Sequence, residues 1–405
     1  MVDNNYPWLR LAVALLLSTI GGVGMWSVVV ALPSVQAEFG VARGAASLPY
    51  TLTMIGFGIA GIFMGRLADR VGIFIPIILG AVLLALGFVA AGRAATISQF
   101  TLMQGLLIGV GSSVTFAPLL ADTSLWFTKN RGLAIGIIAS GNYLAGTIWP
   151  PLLTHFMQTA GWRATYFGVA IFCFATMLPL ALVLRRRAPA QIITINETTR
   201  DSTPQRPLGF APNTLQLILI VAGLSCCVAM SMPQVHIIAY CGDLGFGVAR
   251  GAQMLSLMLA CGIVSRLSFG WISDRIGGLR TLLLGSGLQA IALLLFVPFN
   301  GLASLYLLSA LFGLFQGGIV PSYAIIVREF FPAKEAGARI SLVITATIFG
   351  MALGGWMSGV IFDWLGSYRA AFINGVAWNL LNIGIAIALL RRSGWRLSRA
   401  QAAQT

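Results

Sequence analysis

Apolar residues dominate this chain in runs of about 20 residues, and short polar or glycine-containing segments separate the runs. A helix that rises about 1.5 Å per residue needs roughly 20 apolar residues to cross the hydrocarbon of a bilayer. The pattern therefore predicts an all-α membrane protein with twelve spanning helices. The approximate bounds of the predicted spans are 8–33, 45–67, 73–91, 98–122, 131–154, 164–184, 214–240, 250–272, 279–298, 302–327, 337–361 and 370–390.

The first six and last six predicted spans repeat each other. The heptapeptide Phe-Gly-Val-Ala-Arg-Gly-Ala at 39–45 returns unchanged at 246–252, and the segment 65–72 returns in similar form at 270–277. Collinear repeats indicate a duplicated unit, and duplicated halves in a membrane are typical of transporters that move one half against the other. We predict a six-helix half at 1–184, a linker at 185–213, a second half at 214–390 and a basic tail at 391–405.

Composition agrees with a membrane location. Hydrophobic residues make up 58% of the chain and charged residues 9%, whereas a soluble domain carries about 25% charged residues. The net charge of +14 would suggest a nucleic-acid partner in a soluble protein. Here the cations lie in short loops between apolar runs, so we predict no nucleic-acid partner and interpret the cations as signals of membrane topology.

The basic residues are divided unequally between the two sides of the predicted bundle. The loops on one side hold Arg43, Arg93, Arg163, Arg250 and Arg369, and all but one of the other basic residues lie on the opposite side. The positive-inside rule therefore places both termini, the linker and the tail in the cytoplasm. We expect a multi-pass plasma-membrane protein, specifically of a bacterial inner membrane. The first apolar run is too long for a signal-peptide core, so we expect it to stay uncleaved.

The remaining basic residue, Arg266, lies about one helical turn inside the eighth predicted span. An arginine in hydrocarbon costs several kcal/mol, so it normally faces a cavity or a partner. The residues three and four positions away are not acidic, and an unpaired guanidinium can hold a carboxylate through two parallel hydrogen bonds. We predict that Arg266 binds a small organic anion. The alternative is an arginine that extends to the cytoplasmic surface.

Other polar residues inside spans are candidates to complete a pocket beside this arginine. Asn142 and Tyr143 lie in a glycine-rich run of the fifth span, Tyr323 follows two glycines and a proline in the tenth, and His236 follows a proline in the seventh. Bent or broken spans can line a cavity. We predict these four residues as substrate-binding. The alternatives are hydrogen bonding between helices for the asparagine and a polar rim position for the histidine.

Two short loops combine an aspartate and an arginine between glycines. Asp69 and Arg70 follow the second predicted span, and Asp274 and Arg275 follow the eighth. An aspartate in such a tight turn can cap a neighbouring helix or pair with an arginine. We predict that these residues form a gate that holds the cytoplasmic side closed when the site opens outward, and that they do not contact substrate.

Asp122, at the end of the fourth predicted span, is the acid nearest to a span interior. One interpretation is a gate residue that pairs with Arg70 or Arg131. The other is a proton carrier, because a buried acid can exchange a proton during transport. His236 is the second candidate for proton coupling, since a histidine titrates near neutral pH.

The loop at 65–72 resembles the signature G-x-L-a-D-R/K-x-G-x-R/K of the major facilitator superfamily, and the copy at 270–277 stands where that superfamily repeats it. Trp126-Phe127, the run 131–136 and the run 161–164 resemble its monocarboxylate-transporter and oxalate–formate-exchanger branch. The resemblance implies twelve helices in two pseudo-symmetric halves and a monomer. It also implies a carboxylate-binding arginine in the eighth helix, the predicted role of Arg266.

Several positions depart from the branch. Its proton-coupled members carry a lysine in the first helix and an acid one turn before the helix-8 arginine, but this chain has no lysine there and Gly262 at the second position. The eleventh span also lacks the lysine of the oxalate–formate type. In the first signature the final basic position is Phe74, and in the second a displaced Arg280 takes that place. A single buried cation matches a monoanion better than a dicarboxylate.

These observations predict a secondary active transporter of small organic anions, monocarboxylates such as lactate or pyruvate, that works by alternating access with protons as the candidate coupling ion. An organic-anion exchanger and an efflux carrier for apolar compounds are the alternatives. The sequence shows no catalytic triad, metal cluster or phosphate-binding loop. We therefore expect neither an enzyme nor a bound cofactor or metal, and expect the lipid bilayer, the anion and the coupling ion as the partners.

Overall fold

The computed structural model describes residues 6–127, 131–186 and 207–402, and these residues form helices with no β-strand. A short 3-10 turn, Pro207–Gly209, precedes the second half. The helices are α1 (Tyr6–Phe39), α2 (Arg43–Val71), α3 (Phe74–Gly92), α4 (Ile97–Ser124), α5 (Arg131–Ala139 with Gly141–Ala160), α6 (Trp162–Val183), α7 (Pro212–Asp243), α8 (Val248–Ile276), α9 (Gly278–Leu295), α10 (Leu302–Phe330), α11 (Ala333–Leu365) and α12 (Tyr368–Ala402).

Eleven of these helices are long and apolar enough to cross a membrane. The other is α5, which a turn at Ser140 divides into two shorter pieces. Each helix covers one of the twelve predicted spans, so the prediction of an all-α membrane fold is confirmed. The helices extend beyond most of the predicted bounds because polar residues at the ends of a span continue the same helix outside the apolar run.

Both ends of the described chain lie at one end of the bundle. The Tyr6 hydroxyl donates to the Val183 carbonyl at 2.7 Å, and the Arg392 guanidinium lies 4.1 Å from the centre of the Phe210 ring. The start of α1, the end of α6, the start of α7 and the far part of α12 therefore share one face, which we call the linker face. The opposite end of the bundle is the distal face. The cytoplasmic location of the linker face stays a prediction.

The two halves meet along two pairs of helices. α2 packs along α11, and α5 packs along α8. At the distal end the α2–α11 contact is close, because a side chain at Gly359 would meet the backbone of Arg43 and the hydroxyl of Ser47. Small residues permit this approach, which is how helices associate in lipid. The space between the two halves therefore narrows toward the distal face.

α10 fixes the position of α8 within the C-terminal half. A turn at Gly317–Gly318 interrupts α10. A side chain at Gly317 would run into the Gly262 carbonyl, and one at Gly318 would run into the Phe269 ring. The two helices therefore touch on either side of Arg266, and this contact holds that part of α8 in place.

Candidate functional site

A cavity of about 110 Å³ lies between the two halves, and we call it the central cavity. Helices from both halves contribute side chains to it. Its lining includes Trp26, Tyr50, Asn142, Tyr143, Gln234 and Arg266. A cavity shared by the two halves is where a transporter built from repeats binds its substrate.

Arg266 lies on the wall of this cavity. Its Nη1 donates to the Ala139 carbonyl at 2.7 Å, and its guanidinium lies 4.2 Å from the centre of the Tyr143 ring. The break in α5 at Ser140 explains the first contact, because the last carbonyls of a helix lack an intrahelical donor. The arginine is therefore held in place by a carbonyl and a ring face, neither of which neutralises its charge.

One edge of the Arg266 guanidinium has no protein partner. Nε is buried without a hydrogen bond, and no hydrogen bond to Nη2 and no ion pair to Arg266 occurs among the residues that the structure describes. Nε and Nη2 together form the edge that grips a carboxylate side-on. Arg266 therefore brings an unpartnered guanidinium edge to the wall of the central cavity, and because surrounding atoms cover Nε, a carboxylate would reach it after a side-chain movement.

Tyr143 and Asn142 complete this wall. A side chain at Gly262 would run into the Tyr143 ring, so the ring lies flat against the backbone of α8 as well as against the guanidinium. Trp26 Nε1 donates to the Asn142 backbone carbonyl at 3.3 Å, while the Asn142 side-chain Oδ1 is buried without a partner. The structure thus brings together three of the five predicted substrate-binding residues. Their role in binding stays a prediction.

Tyr323 lies away from the central cavity, inside the C-terminal half. It is fully buried, and its hydroxyl donates to Asn382 Oδ1 at 2.8 Å. Asn382 Nδ2 in turn donates to the Ser286 hydroxyl at 2.7 Å. The tyrosine therefore joins α9, α10 and α12 through hydrogen bonds that are already satisfied, and we do not carry it forward as a substrate-binding residue.

His236 is also separate from Arg266, and lies near the distal face. Its Nε2 is 2.7 Å from the Gly355 carbonyl, and its Nδ1 is 3.0 Å from the Tyr368 hydroxyl. A carbonyl only accepts hydrogen bonds, so Nε2 carries a proton and donates to it. In the neutral ring Nδ1 then accepts from Tyr368. The structure places His236 behind the contacts that close the distal face.

Those contacts centre on Arg43, at the start of α2. Its Nη1 and Nη2 donate to the two carboxylate oxygens of Asp243, both at 3.0 Å, and Nη1 also donates to the Tyr368 hydroxyl at 2.6 Å. Asp363 accepts from the backbone amides of Arg43 and Gly44, both at 2.7 Å. These amides begin a helix and would otherwise lack partners. We call Arg43, Asp243, Asp363 and Tyr368 the distal closure, because they join the two halves at that face.

The distal closure is not predicted by the sequence. Arg43 is predicted to lie in a loop as a topology signal, yet its side chain is only 9% exposed in its ion pair with Asp243. The sequence contained one usable signal, since Arg43 belongs to the repeated heptapeptide. The repeat alone does not show which copy is buried, because Arg250 in the other copy is exposed and donates weakly to Gln253 at 3.5 Å.

The linker face is open by comparison. A vestibule of about 1,010 Å³ lies there, lined among others by Arg66, Asp69, Asp122, Ser341 and Leu342 from both halves. Along α2 and α11 its lining residues directly continue those of the central cavity. The molecule is therefore closed at the distal face and hollow toward the linker face.

The predicted gate residues lie on this open face. Within the described part of the chain, Asp69, Arg70, Asp274 and Arg275 form no ion pair. Arg275 instead lies 3.5 Å from the centre of the Trp271 ring. These residues are predicted to form a gate in the other conformation, in which the linker face is closed. That role stays a prediction.

Asp122 has a different partner from those predicted. Arg10 Nη2 donates to Asp122 Oδ2 at 2.7 Å, and Arg10 Nε donates to the same oxygen at 3.2 Å. Arg10 is 1% exposed, and its Nη1 also donates to the Leu184 carbonyl. The observed pair therefore joins α1, α4 and α6 within one half, and not Asp122 to Arg70. The side chain of Arg131, the other predicted partner, lies outside the described residues.

We expect Asp122→Asn to destabilise the protein. Removing one partner of a buried ion pair leaves an uncompensated charge and costs about 3–5 kcal/mol. The matched control is Glu335→Gln, whose pair with Arg339 has a half-exposed carboxylate and is of a kind worth about 0.3–0.5 kcal/mol. Thermal unfolding in detergent should show a clear fall in Tm for Asp122→Asn alone. Equal Tm values for the two variants would contradict a structural role for the Arg10–Asp122 pair.

A sequence model of the Major Facilitator Superfamily matches residues 14–307 and 263–402. Monocarboxylate transporter 13 of Rattus norvegicus is 27% identical over 357 residues, which cover 85% of this chain and 78% of the relative. The agnestins efflux protein of Paecilomyces divaricatus is 24% identical over 329 residues, covering 81% of this chain and 74% of the relative.

Solved structures share the fold at low sequence identity. The crystal structure of a nucleoside transporter superposes with a TM-score of 0.75 at 12% identity, covering 95% of this chain and 99% of that protein. A bacterial homolog of the human lysosomal transporter Spinster, in its inward-facing and unoccupied conformation, gives a TM-score of 0.70 at 14% identity, covering 97% and 96%. Identities this low establish a common fold only.

Proposed function

The chain belongs to the Major Facilitator Superfamily and is a multi-pass membrane transporter of small molecules, not an enzyme, and on that basis we propose that its substrate is a small organic monocarboxylate. Alternating access between the linker face and the distal face would move the substrate. The names of its monocarboxylate-transporter relatives support this substrate class at low identity.

The free edge of the Arg266 guanidinium carries the proposal. A cation within a membrane span is costly unless it is paired, and the described residues supply Arg266 with a carbonyl and a ring but no acid. A bound carboxylate would neutralise the charge and accept two parallel hydrogen bonds from Nε and Nη2. The unpartnered Asn142 Oδ1 on the same wall is an acceptor, so it supports a second contact to a donor group of the substrate and not to its carboxylate. One cation matches one negative charge, which favours a monoanion.

The two ends of the molecule support alternating access. In the present structure the distal closure is formed and the vestibule is open, so substrate would exchange between the central cavity and the linker face. Opening the distal face requires Arg43 to leave Asp243 and Tyr368. With the linker face in the cytoplasm, as the basic residues predict, this conformation is the inward-open one.

Protons are our candidate coupling ion, and His236 is the better supported of the two candidate carriers. A proton on its Nδ1 would remove the acceptor that the Tyr368 hydroxyl now uses, and Tyr368 also accepts from Arg43 in the distal closure. Asp122 is engaged by Arg10 within one half. Exchange against a second organic anion is the alternative mode.

Transport by the purified protein in proteoliposomes tests the proposal. We expect saturable uptake of a radiolabelled monocarboxylate that unlabelled monocarboxylates inhibit and their uncharged amides do not. Uptake driven by an inward proton gradient would identify symport, and uptake that needs an internal anion would identify exchange. Protein-free liposomes are the control. If no carboxylate is taken up by folded protein under either condition, the proposed substrate class is wrong.

A further inference from the structure

The walls of the central cavity away from Arg266 are rich in sulfur-containing apolar side chains. Met25, Met54, Met230 and Met351 all line it, and they come from four helices, α1, α2, α7 and α11, of both halves. Methionine is unbranched and polarisable, so it adapts to irregular apolar surfaces and makes favourable contacts with aromatic rings. Such walls fit an apolar ligand surface better than a hydrated one.

Aromatic rings cover much of the remaining wall. The one polar atom of the Trp26 side chain is already used, because Nε1 donates to the Asn142 carbonyl. Phe57 and Phe116 form a ring pair with centroids 6.2 Å apart. Both line the central cavity, while Gly61 on α2 and Ala117 on α4 line the vestibule. The ring pair therefore borders the passage between the two cavities, and a substrate that reaches the linker face passes it.

Two of the polar lining groups are already satisfied by the protein. Gln234 Nε2 donates to Gln316 Oε1 at 2.8 Å, and Thr347 Oγ1 donates to the Ile344 carbonyl at 2.6 Å. The unpartnered buried polar atoms of the lining belong to Arg266 and Asn142, on a single wall. Tyr50 and Tyr143 add two hydroxyl-bearing rings to the lining. The lining of the central cavity thus offers one charged recognition point and a few neutral polar groups in otherwise apolar surroundings.

In this conformation the central cavity is small, although it opens toward the vestibule. About 110 Å³ is available, whereas one ordered water needs about 10–15 Å³ and sites for drug-sized ligands occupy about 300–1,000 Å³. A single ring or a short branched carbon chain is compatible with that volume. A body of several fused rings is not.

From these features we propose that the central cavity selects monocarboxylates with a compact apolar body, a single aromatic ring or a branched chain, over lactate and pyruvate. The inference rests on the proposed function, in which Arg266 holds the carboxylate. The small body of lactate would leave most of the methionine and aromatic surface uncovered. One methylene in an apolar pocket changes selectivity by about tenfold or more, so a whole ring should have a clear effect.

Competition for uptake in proteoliposomes tests this selectivity. Phenylacetate and 4-methylvalerate should inhibit tracer uptake at concentrations at least about tenfold lower than lactate, and diphenylacetate should inhibit weakly because it exceeds the cavity. Lactate that inhibits as well as phenylacetate would overturn the inference while leaving monocarboxylate transport intact. Phenylacetamide that inhibits as well as phenylacetate would instead overturn the proposed function, because it carries no charge for Arg266.

A matched pair of methionine variants locates the selectivity in the cavity. Met351→Gln keeps the length of the side chain and makes its end polar, and we expect the preference for phenylacetate over lactate to fall about tenfold. Met103→Gln changes a half-buried methionine that does not line the cavity, and should leave the preference unchanged. A preserved preference in folded Met351→Gln would contradict the assignment. If that variant does not fold, the wild-type competition still decides the inference.

Discussion

Arg266→Ala is expected to lower kcat/KM for monocarboxylate uptake by about thirtyfold to a few thousandfold. Truncating one partner of a buried, hydrogen-bonded charge pair costs about 2–5 kcal/mol, and every 1.4 kcal/mol is about tenfold in affinity. The loss should be this large because the described lining of the central cavity offers no second cation to take over. Initial uptake rates in proteoliposomes measure it, and quenching of Trp26 on the cavity wall offers a parallel reading of binding.

Arg266→Lys separates charge from geometry. Lysine keeps the positive charge but cannot form the two parallel hydrogen bonds of a guanidinium edge, so we expect activity between that of the wild type and that of Arg266→Ala. Arg93→Ala removes an exposed arginine directly after α3 and should leave uptake unchanged. Wild-type uptake by a folded Arg266→Ala protein would remove this residue from the binding site.

Arg43→Ala is expected to shift the protein toward the conformation in which the distal face is open. The substitution breaks the ion pair with Asp243 and the hydrogen bond to Tyr368. Because the Asp243 side chain is 37% exposed, we expect a cost between the roughly 1 kcal/mol of an exposed pair and the about 3–5 kcal/mol of a buried one. The free energies of two conformations of one protein commonly differ by a few kcal/mol. A change of about 5.5 kcal/mol in that difference converts a 1:99 ratio of the two populations into 99:1. Spin labels on Ser98→Cys and Asn300→Cys, in distal segments of the two halves, should report a longer distance by pulsed EPR.

The repeated heptapeptide supplies the matched control for this prediction. Arg250→Ala makes the same change in the same local sequence, but Arg250 is exposed and joins no ion pair within the described chain. We expect its label distances to match the wild type. Asp243→Asn should shift the distances in the same direction as Arg43→Ala. Identical distances in Arg43→Ala and wild type would show that the distal closure does not hold that face shut.

The sequence predicted the helices and the wall around Arg266 because both signals are local. A run of about 20 apolar residues and a lone cation within such a run can each be recognised without knowledge of distant contacts. Asn142 and Tyr143 followed from the glycines around them, and they meet Arg266 because α5 packs along α8. The glycines and the proline before Tyr323 predicted the bend of α10. The sequence did not predict that the Tyr323 hydroxyl bonds to Asn382 on α12.

Ion pairs and hydrogen bonds between distant parts of the chain could not be predicted from the sequence. Arg43 is 200 residues from Asp243 in sequence and 325 from Tyr368, and Arg10 is 112 from Asp122. Each arginine stands near the end of a span, where a cation also serves as a topology signal. The sequence cannot separate the two roles, because burial of such a cation depends on a partner that only the folded structure brings near.

The glycine and the arginine of the repeated heptapeptide differ in how far the two copies resemble each other. Gly40 and Gly247 both adopt positive φ angles, 62° and 85°, so both copies need glycine, although Gly40 ends a helix in the left-handed conformation and Gly247 begins one with an extended ψ. The backbone of the arginine has no positive φ angle in either copy, so its conformation does not require a particular residue. At the offset that relates the copies, Asp243 corresponds to Gln36, and the second arginine has no acid at the equivalent place. The two copies therefore share the need for glycine, while the ion pair occurs in one copy only among the described residues. From that one-sidedness we expect a carrier without substrate to rest with its binding site facing the compartment at the linker face.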